Sequence, residues 1–243
     1  DPAFEGLRRQ FVEVVSVLSD PAGAQVSYKP YSEPPTQWRT LGQTPIEGRE
    51  LPAVLSILRL EKPGYAPVEV THAAYHPLLP FRLVAASAAP AGMVPVPGGP
   101  FKFRVAQAVQ LEEFWLDRYE VTNRQFEAFV NAGGYGRREL WKHPFVIAGR
   151  AVPFQEAMAL FRDRTGRPGP STWELGSFPE GQADLPVSGV SWHEAAAWAE
   201  FAGKSLPTLH HWFRAADLGP FSDLLRSSNF GGRGPGEVGK RSS

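Results

Sequence analysis

Leu185-Pro186-Val187-Ser188-Gly189-Val190-Ser191-Trp192-His193-Glu194 is the stretch on which the reading of this 243-residue chain turns. Ser191 stands three positions before Glu194. That is a capping box, in which hydroxyl and carboxylate each satisfy a backbone N–H left unpaired by the first helical turn. The spacing predicts a helix from Trp192, with Ala195, Trp198 and Ala202 on its buried face and Gly203 as its stop. Upstream, Thr122-Asn123-Arg124-Gln125 repeats the device. Phe126, Phe129 and Val130 follow at helical spacing, and Gly133-Gly134 close that helix. Downstream, Pro207-Thr208 opens a third helix containing Trp212 and Ala215-Ala216. Six of the seven tryptophans (115, 141, 173, 192, 198 and 212) lie in this half, among few long periodic segments. This predicts an irregular, loop-rich core in which aromatic burial dominates, in preference to a ligand cage of tryptophans.

The first 86 residues read differently. Phe11 to Ser19 is rich in β-branched residues and predicts a strand. Asp20-Pro21-Ala22-Gly23-Ala24 is a turn, and Gln25-Val26-Ser27-Tyr28 reads as the strand paired across it. Leu51 to Leu60 is a further apolar stretch, with Leu55 and Ile57 on one face and Ser56 and Leu58 on the other. Lys62-Pro63-Gly64-Tyr65 is another turn, after which Val68 and Val70 alternate with Glu69 and Thr71. Short strands with turns at this spacing predict a small all-β sandwich. Ala85-Ala86-Ser87-Ala88-Ala89-Pro90-Ala91-Gly92 reads as a linker.

Two resemblances attach to these residues. Ser19 to Val26, Gly42-Gln43-Thr44-Pro45 and Lys62-Pro63-Gly64-Tyr65 resemble, in order, the three turns of the PEGA family. The stretch Pro30 to Thr40 stands as an insertion where that family has a short hairpin. The resemblance implies a surface or extracytoplasmic interaction module without a catalytic role. In the second half, four blocks resemble the formylglycine-generating enzyme, or sulfatase-modifying factor, family. They are Gly92 to Phe101, Tyr119-Glu120-Val121-Thr122-Asn123 with Phe126, Leu185 to Trp192, and Gly203-Lys204-Ser205-Leu206-Pro207-Thr208. That implies a C-type-lectin-like fold with little regular secondary structure. The expected class is therefore α+β: a PEGA sandwich over 1–86, a linker over 87–92, and a truncated formylglycine-generating-enzyme-like domain over 93–243. The family's copper-holding cysteine pair is expected beyond Ser243. Its acidic third-helix residues are replaced here by Leu209-His210-His211-Trp212-Phe213. The start at Asp1 without Met, and the end just after a glycine-rich stretch, are read as marks of a fragment.

Composition narrows the chemistry. Lys+Arg and Asp+Glu are 25 each, so no basic surface for nucleic acid is expected. The chain has no cysteine, hence no thiol nucleophile, thiolate ligand or disulfide. The most apolar run, from Leu78 to Val96, is interrupted by Pro80, Arg82, Pro90 and Pro95 and falls short of a membrane span. His210, His211 and Asn229 are the ligand-binding candidates. No metal site is expected within the chain: adjacent helical histidines diverge by about 100°, with one expected against Trp212 and the other exposed. His193-Glu194 is not a zinc-protease motif, because Ala197 stands where the second histidine belongs. Gly234 to Arg241 only approximates a phosphate loop and reads as a connecting loop. Asp163 to Pro170 is a polar loop of unspecified ligand. Glu120 is expected to act on the helix dipole or cap, and Asn123 as a side-chain-to-backbone bonder.

Two functions follow. One is part of a formylglycine-generating or related nonheme-metal oxidase, inactive alone, with copper or calcium belonging to the complete family domain. The other is a non-catalytic, extracytoplasmic or periplasmic ligand-binding ectodomain of a bacterial receptor-type serine/threonine kinase. The expected partner in either case is a protein or peptide, with a membrane reached only through an upstream anchor.

Overall fold

The computed structural model describes residues 11–34, 36–102, 107–216, 229 and 234–240. Its contacts divide the described chain into two compact units. One comprises residues up to Arg118 together with 210–216 and 229; the other comprises 119–209 and 234–240.

The first unit begins with β1 (Val12–Val17), β2 (Ser19–Asp20), β3 (Gln25–Pro30), β4 (Arg39–Gln43), β5 (Ile46–Pro52), β6 (Ser56–Glu61), β7 (Val68–His72) and β8 (Phe81–Arg82). An antiparallel sheet runs in the order β4-β3-β6-β7, β1 pairs antiparallel with β5, and β2 pairs parallel with β8. Alternation sets the faces. Val15 and Val17 of β1 join Val26, Leu41, Ile46, Leu51, Leu58, Leu60, Val68 and Phe81 in one core, so both sheets close on the same apolar layer.

The turn at residues 20–24 does not make the expected hairpin between β1 and β3. It carries the chain from one sheet to the other. Thr44 holds it there: the Gly23 N–H donates to the Thr44 carbonyl (2.8 Å), the Ala24 N–H donates to Oγ1 (2.9 Å), and the Ser19 hydroxyl lies 2.6 Å from the same oxygen. The stretch Leu51 to Leu60 is likewise not one strand. Pro52, which has no N–H to give a ladder, ends β5, and the Val54 N–H turns back onto the Pro52 carbonyl.

Two hairpin-like ribbons follow in this unit. β9 (Met93–Val96) pairs with β12 (Phe114–Asp117), and β10 (Gly99–Phe101) pairs with β11 (Val109–Leu111). Gly98 is required by close approach, since a Cβ there would lie 2.5 Å from the Leu111 carbonyl oxygen.

The second unit holds α1 (Asn123–Asn131), the hairpin β13 (Phe145–Ile147) and β14 (Arg150–Val152), the short α2 (Phe154–Met158), and α3 (Trp192–Phe201). No helix or strand forms between α2 and α3, so the core is built from rings. Phe126, Phe129, Tyr135, Trp141, Phe145, Trp173 and Trp198 are all buried. Trp192 and Trp212, by contrast, are about half exposed and Trp115 is partly buried, so of the six tryptophans the core-packing reading holds fully for Trp141, Trp173 and Trp198 and fails for Trp192 and Trp212. The last helix, α4 (Leu209–Ala216), belongs to the first unit from His210 onward. Mixed short strands and few helices place the chain in the α+β class. Among the described residues no helix is long and apolar enough to cross a membrane.

Both predicted capping boxes form. Thr122 Oγ1 accepts from the Gln125 N–H and Gln125 Oε1 accepts from the Thr122 N–H. Ser191 and Glu194 exchange the same pair of bonds. Gly203, at φ +68°, ends α3 with the Lys204 N–H bonded to the Ala199 carbonyl, a Schellman closure. The buried face of α3 matches the predicted one at Trp198 only. Glu194 and Ala196 to Ala199 are covered, whereas Ala202 is exposed and Ala195 only partly buried.

Candidate functional site

Two of the family-like blocks, Tyr119 to Asn123 and Leu185 to Trp192, meet around the starts of α1 and α3. The Asn123 N–H donates to the Leu185 carbonyl (2.9 Å) and the Val187 N–H to the Val121 carbonyl (2.8 Å). Asn123 is buried. Its Nδ2 donates to the Gln182 carbonyl (2.8 Å), and its Oδ1 accepts from Trp173 Nε1 (3.1 Å). It is the side-chain-to-backbone bonder that the sequence predicts. Glu120 is exposed and takes no part in the cap, which Thr122 and Gln125 complete without it. Glu194 is also buried. One carboxylate oxygen caps Ser191, and the other accepts from the Tyr135 hydroxyl at 2.6 Å. Burial first, and then the neighbouring Glu194 charge, push the Tyr135 hydroxyl pKa far upward, so it stays a donor. These groups are spent on holding the fold.

The first turn of α3 presents side chains to solvent beside these groups. Trp192 is 56% exposed. The imidazole of His143 meets it edge-on at 4.5 Å between ring centres, and that of His193 at 5.3 Å. Beneath them, Phe145 lies 4.7 Å and Phe161 6.4 Å from the His193 ring. Burial first, and then the neighbouring His143, lower the His193 pKa, which favours its neutral imidazole. A neutral imidazole beside an exposed indole can stack on a planar group and exchange hydrogen bonds with a peptide. His143 had no local sequence signal, because its partner is distant in sequence. Trp192 and His193 were legible only as the first helical positions after a cap.

The sequence-predicted candidates sit elsewhere. His210 packs edge-on against Phe101 (6.3 Å) and His211 against Phe114 (4.6 Å). Both are half-buried, and neither takes the expected place beside Trp212, which meets Phe213. The reason is local: α4 lies on the ribbons, with Arg214 donating to the carbonyls of Pro97 (3.1 Å) and Gly98 (3.0 Å). Asn229 is exposed. The Gly234–Lys240 segment belongs to the second unit: the Val238 N–H donates to the Asp184 carbonyl, and Gly239 lies against the Tyr119 ring.

The residues present do not fit a copper centre. The chain offers no thiolate, and among the described residues no three His, Asp or Glu side chains converge. The loop at Asp163 does not offer a calcium cradle either. Its Oδ1 already accepts from the Thr165 N–H and hydroxyl and the Arg167 N–H, and its Oδ2 from the Gly176 N–H. Burial raises the pKa of this carboxyl, but those four donors outweigh burial and hold it at about 2. The value lies below the ordinary 3.8, so the ionised group stabilises the fold above about pH 4 and loses that contribution as pH falls towards 2. In urea unfolding, the stability gap between wild type and Asp163→Asn is expected to shrink by about 1–2 kcal/mol from pH 5 to about pH 2.5. A gap independent of pH would show that the carboxylate charge is immaterial.

The pattern of sulfatase-modifying factor enzyme 1-like domains matches residues 81–236. The chain belongs to this family. It is 35% identical over 149 residues to a formylglycine-generating enzyme of Thermomonospora curvata, covering 51% of this chain and 48% of that protein. It is 28% identical over 154 residues to a hercynine oxygenase of Mycolicibacterium smegmatis, covering 58% and 35%. It is 32% identical over 111 residues to the serine/threonine-protein kinase pkn1 of Chlamydia pneumoniae, covering 46% and 15%. The chain thus spans about half, or less, of the curated relatives it matches. The family stretch includes both capped helices, the Asp163 loop and the Trp192 surface.

Proposed function

We propose that these residues supply the framework and a peptide-facing surface of a sulfatase-modifying-factor-type protein, and do not themselves oxidise a substrate cysteine. The observation that carries this reading is the absence of cysteine from a chain that retains the family's framework blocks. Copper-dependent cysteine oxidation needs a soft thiolate site, which the chain cannot build. In this reading the family portion is C-type-lectin-like, the leading β-layers are a PEGA module, the partner is a protein or peptide, and the setting is extracytoplasmic. His143, Trp192 and His193 offer the surface on which such a peptide would lie. Incubated with Cu(I), oxygen and a cysteine-containing peptide, the chain is expected to leave the thiol intact by mass spectrometry. Oxidation of the peptide above a copper-only control would overturn the reading.

The match to a serine/threonine-protein kinase, together with the lack of acidic residues in Leu209-His210-His211-Trp212-Phe213, favours a second reading: the ligand-binding ectodomain of a bacterial receptor-type kinase. The gene discriminates between the two. A kinase domain and membrane helix encoded before Asp1 would decide for the ectodomain. A cysteine pair or metal-ligand set encoded after Ser243 would decide for the oxidase.

A further inference from the structure

The Ala53 N–H donates to the Phe11 carbonyl, which fixes the parity of the β1–β5 ladder: Phe11, Glu13 and Val15 turn their backbone polar groups towards β5. Val12, Val14 and Ser16 therefore turn theirs to the opposite edge. The same edge is occupied further along. The Phe81 N–H donates to the Leu18 carbonyl (2.9 Å) and the Leu83 N–H to the Asp20 carbonyl (2.8 Å), both even-numbered positions. Beside residues 12–16 the returning chain stands off. A cleft of about 530 Å³ separates that edge from Tyr75, His76, Pro77 and Leu78. No strand pairs with β1 on this side among the described residues.

Two further observations describe the cleft. Its far wall is held open by Glu13, whose Oε2 accepts from the Tyr75 N–H (2.8 Å) while Oε1 meets His72 Nε2 (3.0 Å). Tyr75 adopts φ +64°, which is costly for a residue with a Cβ, and its side chain is 64% exposed. The near wall carries no free charge: Glu13 is buried and engaged, and Val14 is 68% exposed. An edge strand of the sequence Val-Glu-Val-Val-Ser-Val, with no lysine or proline to blunt it, is a template for another strand.

We infer that the outer edge of β1 is a binding site for an uncharged extended peptide, which adds as a strand in the place that β8 leaves vacant. The outward N–H and C=O groups of Val12, Val14 and Ser16, which no described strand pairs, supply the main-chain bonds, and the Tyr75–Leu78 wall bounds the entry. Glu13 is engaged, His76 is the one basic side chain in the lining, and no Asp, Lys or Arg lines the cleft, so it offers an occupant little charge to pair with and favours a neutral peptide. The site lies in the β-layers and is independent of the Trp192 surface.

The probe is an acetylated, amidated pentapeptide of alternating serine, valine and threonine, titrated into the full chain. Amide exchange at Val12, Val14 and Ser16 is expected to slow at least tenfold at saturation, with Glu13 and Val15 little changed because they are already bonded. Val14→Pro removes an outward N–H without touching the β5 ladder, as proline does on an open strand edge. It should weaken peptide binding at least tenfold, whereas Val14→Thr, which keeps the N–H, should bind within about threefold of wild type. Unchanged exchange at millimolar peptide overturns the proposal, as does equal binding by a folded Val14→Pro. So does concentration-dependent dimerisation that Val14→Pro abolishes, which would assign the edge to a second copy of this chain. Should Val14→Pro fail to fold, the wild-type exchange pattern decides alone.

Discussion

Glu194→Ala is expected to destabilise the second unit by about 2–4 kcal/mol, read as a shift of the urea midpoint followed by tryptophan fluorescence. The size follows from what the carboxylate holds. It is 3% exposed, and among the described residues no basic side chain pairs with it. Its two oxygens are divided between the Ser191 N–H and the Tyr135 hydroxyl. Alanine removes half of a capping box, worth about 1 kcal/mol. It also orphans a buried hydroxyl, which costs about 1–3 kcal/mol more. Tyr135→Phe removes the hydroxyl and should cost only about 1 kcal/mol. The double variant should fall short of the sum, because no orphaned donor remains in it. An Glu194→Ala loss below about 1 kcal/mol, or strict additivity, would show that the two groups do not act as one unit.

This network also marks where sequence reading stops. The Ser191–Glu194 and Thr122–Gln125 boxes were legible because both partners lie within one turn, and local geometry alone decides them. The same holds for the closures at Gly133 and Gly203, where φ is positive. What covers a helix is a long-range matter. The stripe Ala195–Trp198–Ala202 is a sound apolar face, yet α3 buries the face containing Glu194, because Tyr135 arrives from elsewhere in the chain to take its second oxygen. Strand pairing failed for the same reason. Valines alternating with polar residues in β1 specify an inward face, but any strand of matching period can lie beside it, and Thr44 selected the crossing that gives β1 to β5. His143 reached Trp192 from outside any motif. His210 and His211 were conspicuous as a pair, and the fold gave each a different ring.

Phe129→Ala should cost about 3–5 kcal/mol, and its most informative readout is its coupling to Gly134. The ring is fully buried and meets Phe126, Tyr135 and Phe201 at 5.4–5.6 Å between centres, so little can move in to fill the space it vacates. It also lies flush on Gly134, where an added Cβ would overlap the ring atoms. The Gly134 backbone is not left-handed, and the three atoms nearest an added Cβ all belong to the Phe129 ring. Gly134→Ala alone should therefore destabilise by about 1–3 kcal/mol through overpacking. With Phe129 already alanine, the same substitution should be neutral or slightly stabilising, since the methyl enters the cavity and alanine restricts the unfolded chain. The cycle should give a coupling of about 1–3 kcal/mol. If Gly134→Ala costs the same in both backgrounds, glycine is required there by its backbone and not by the ring, and the account of this core as rings packed on bare main chain fails at its tightest point.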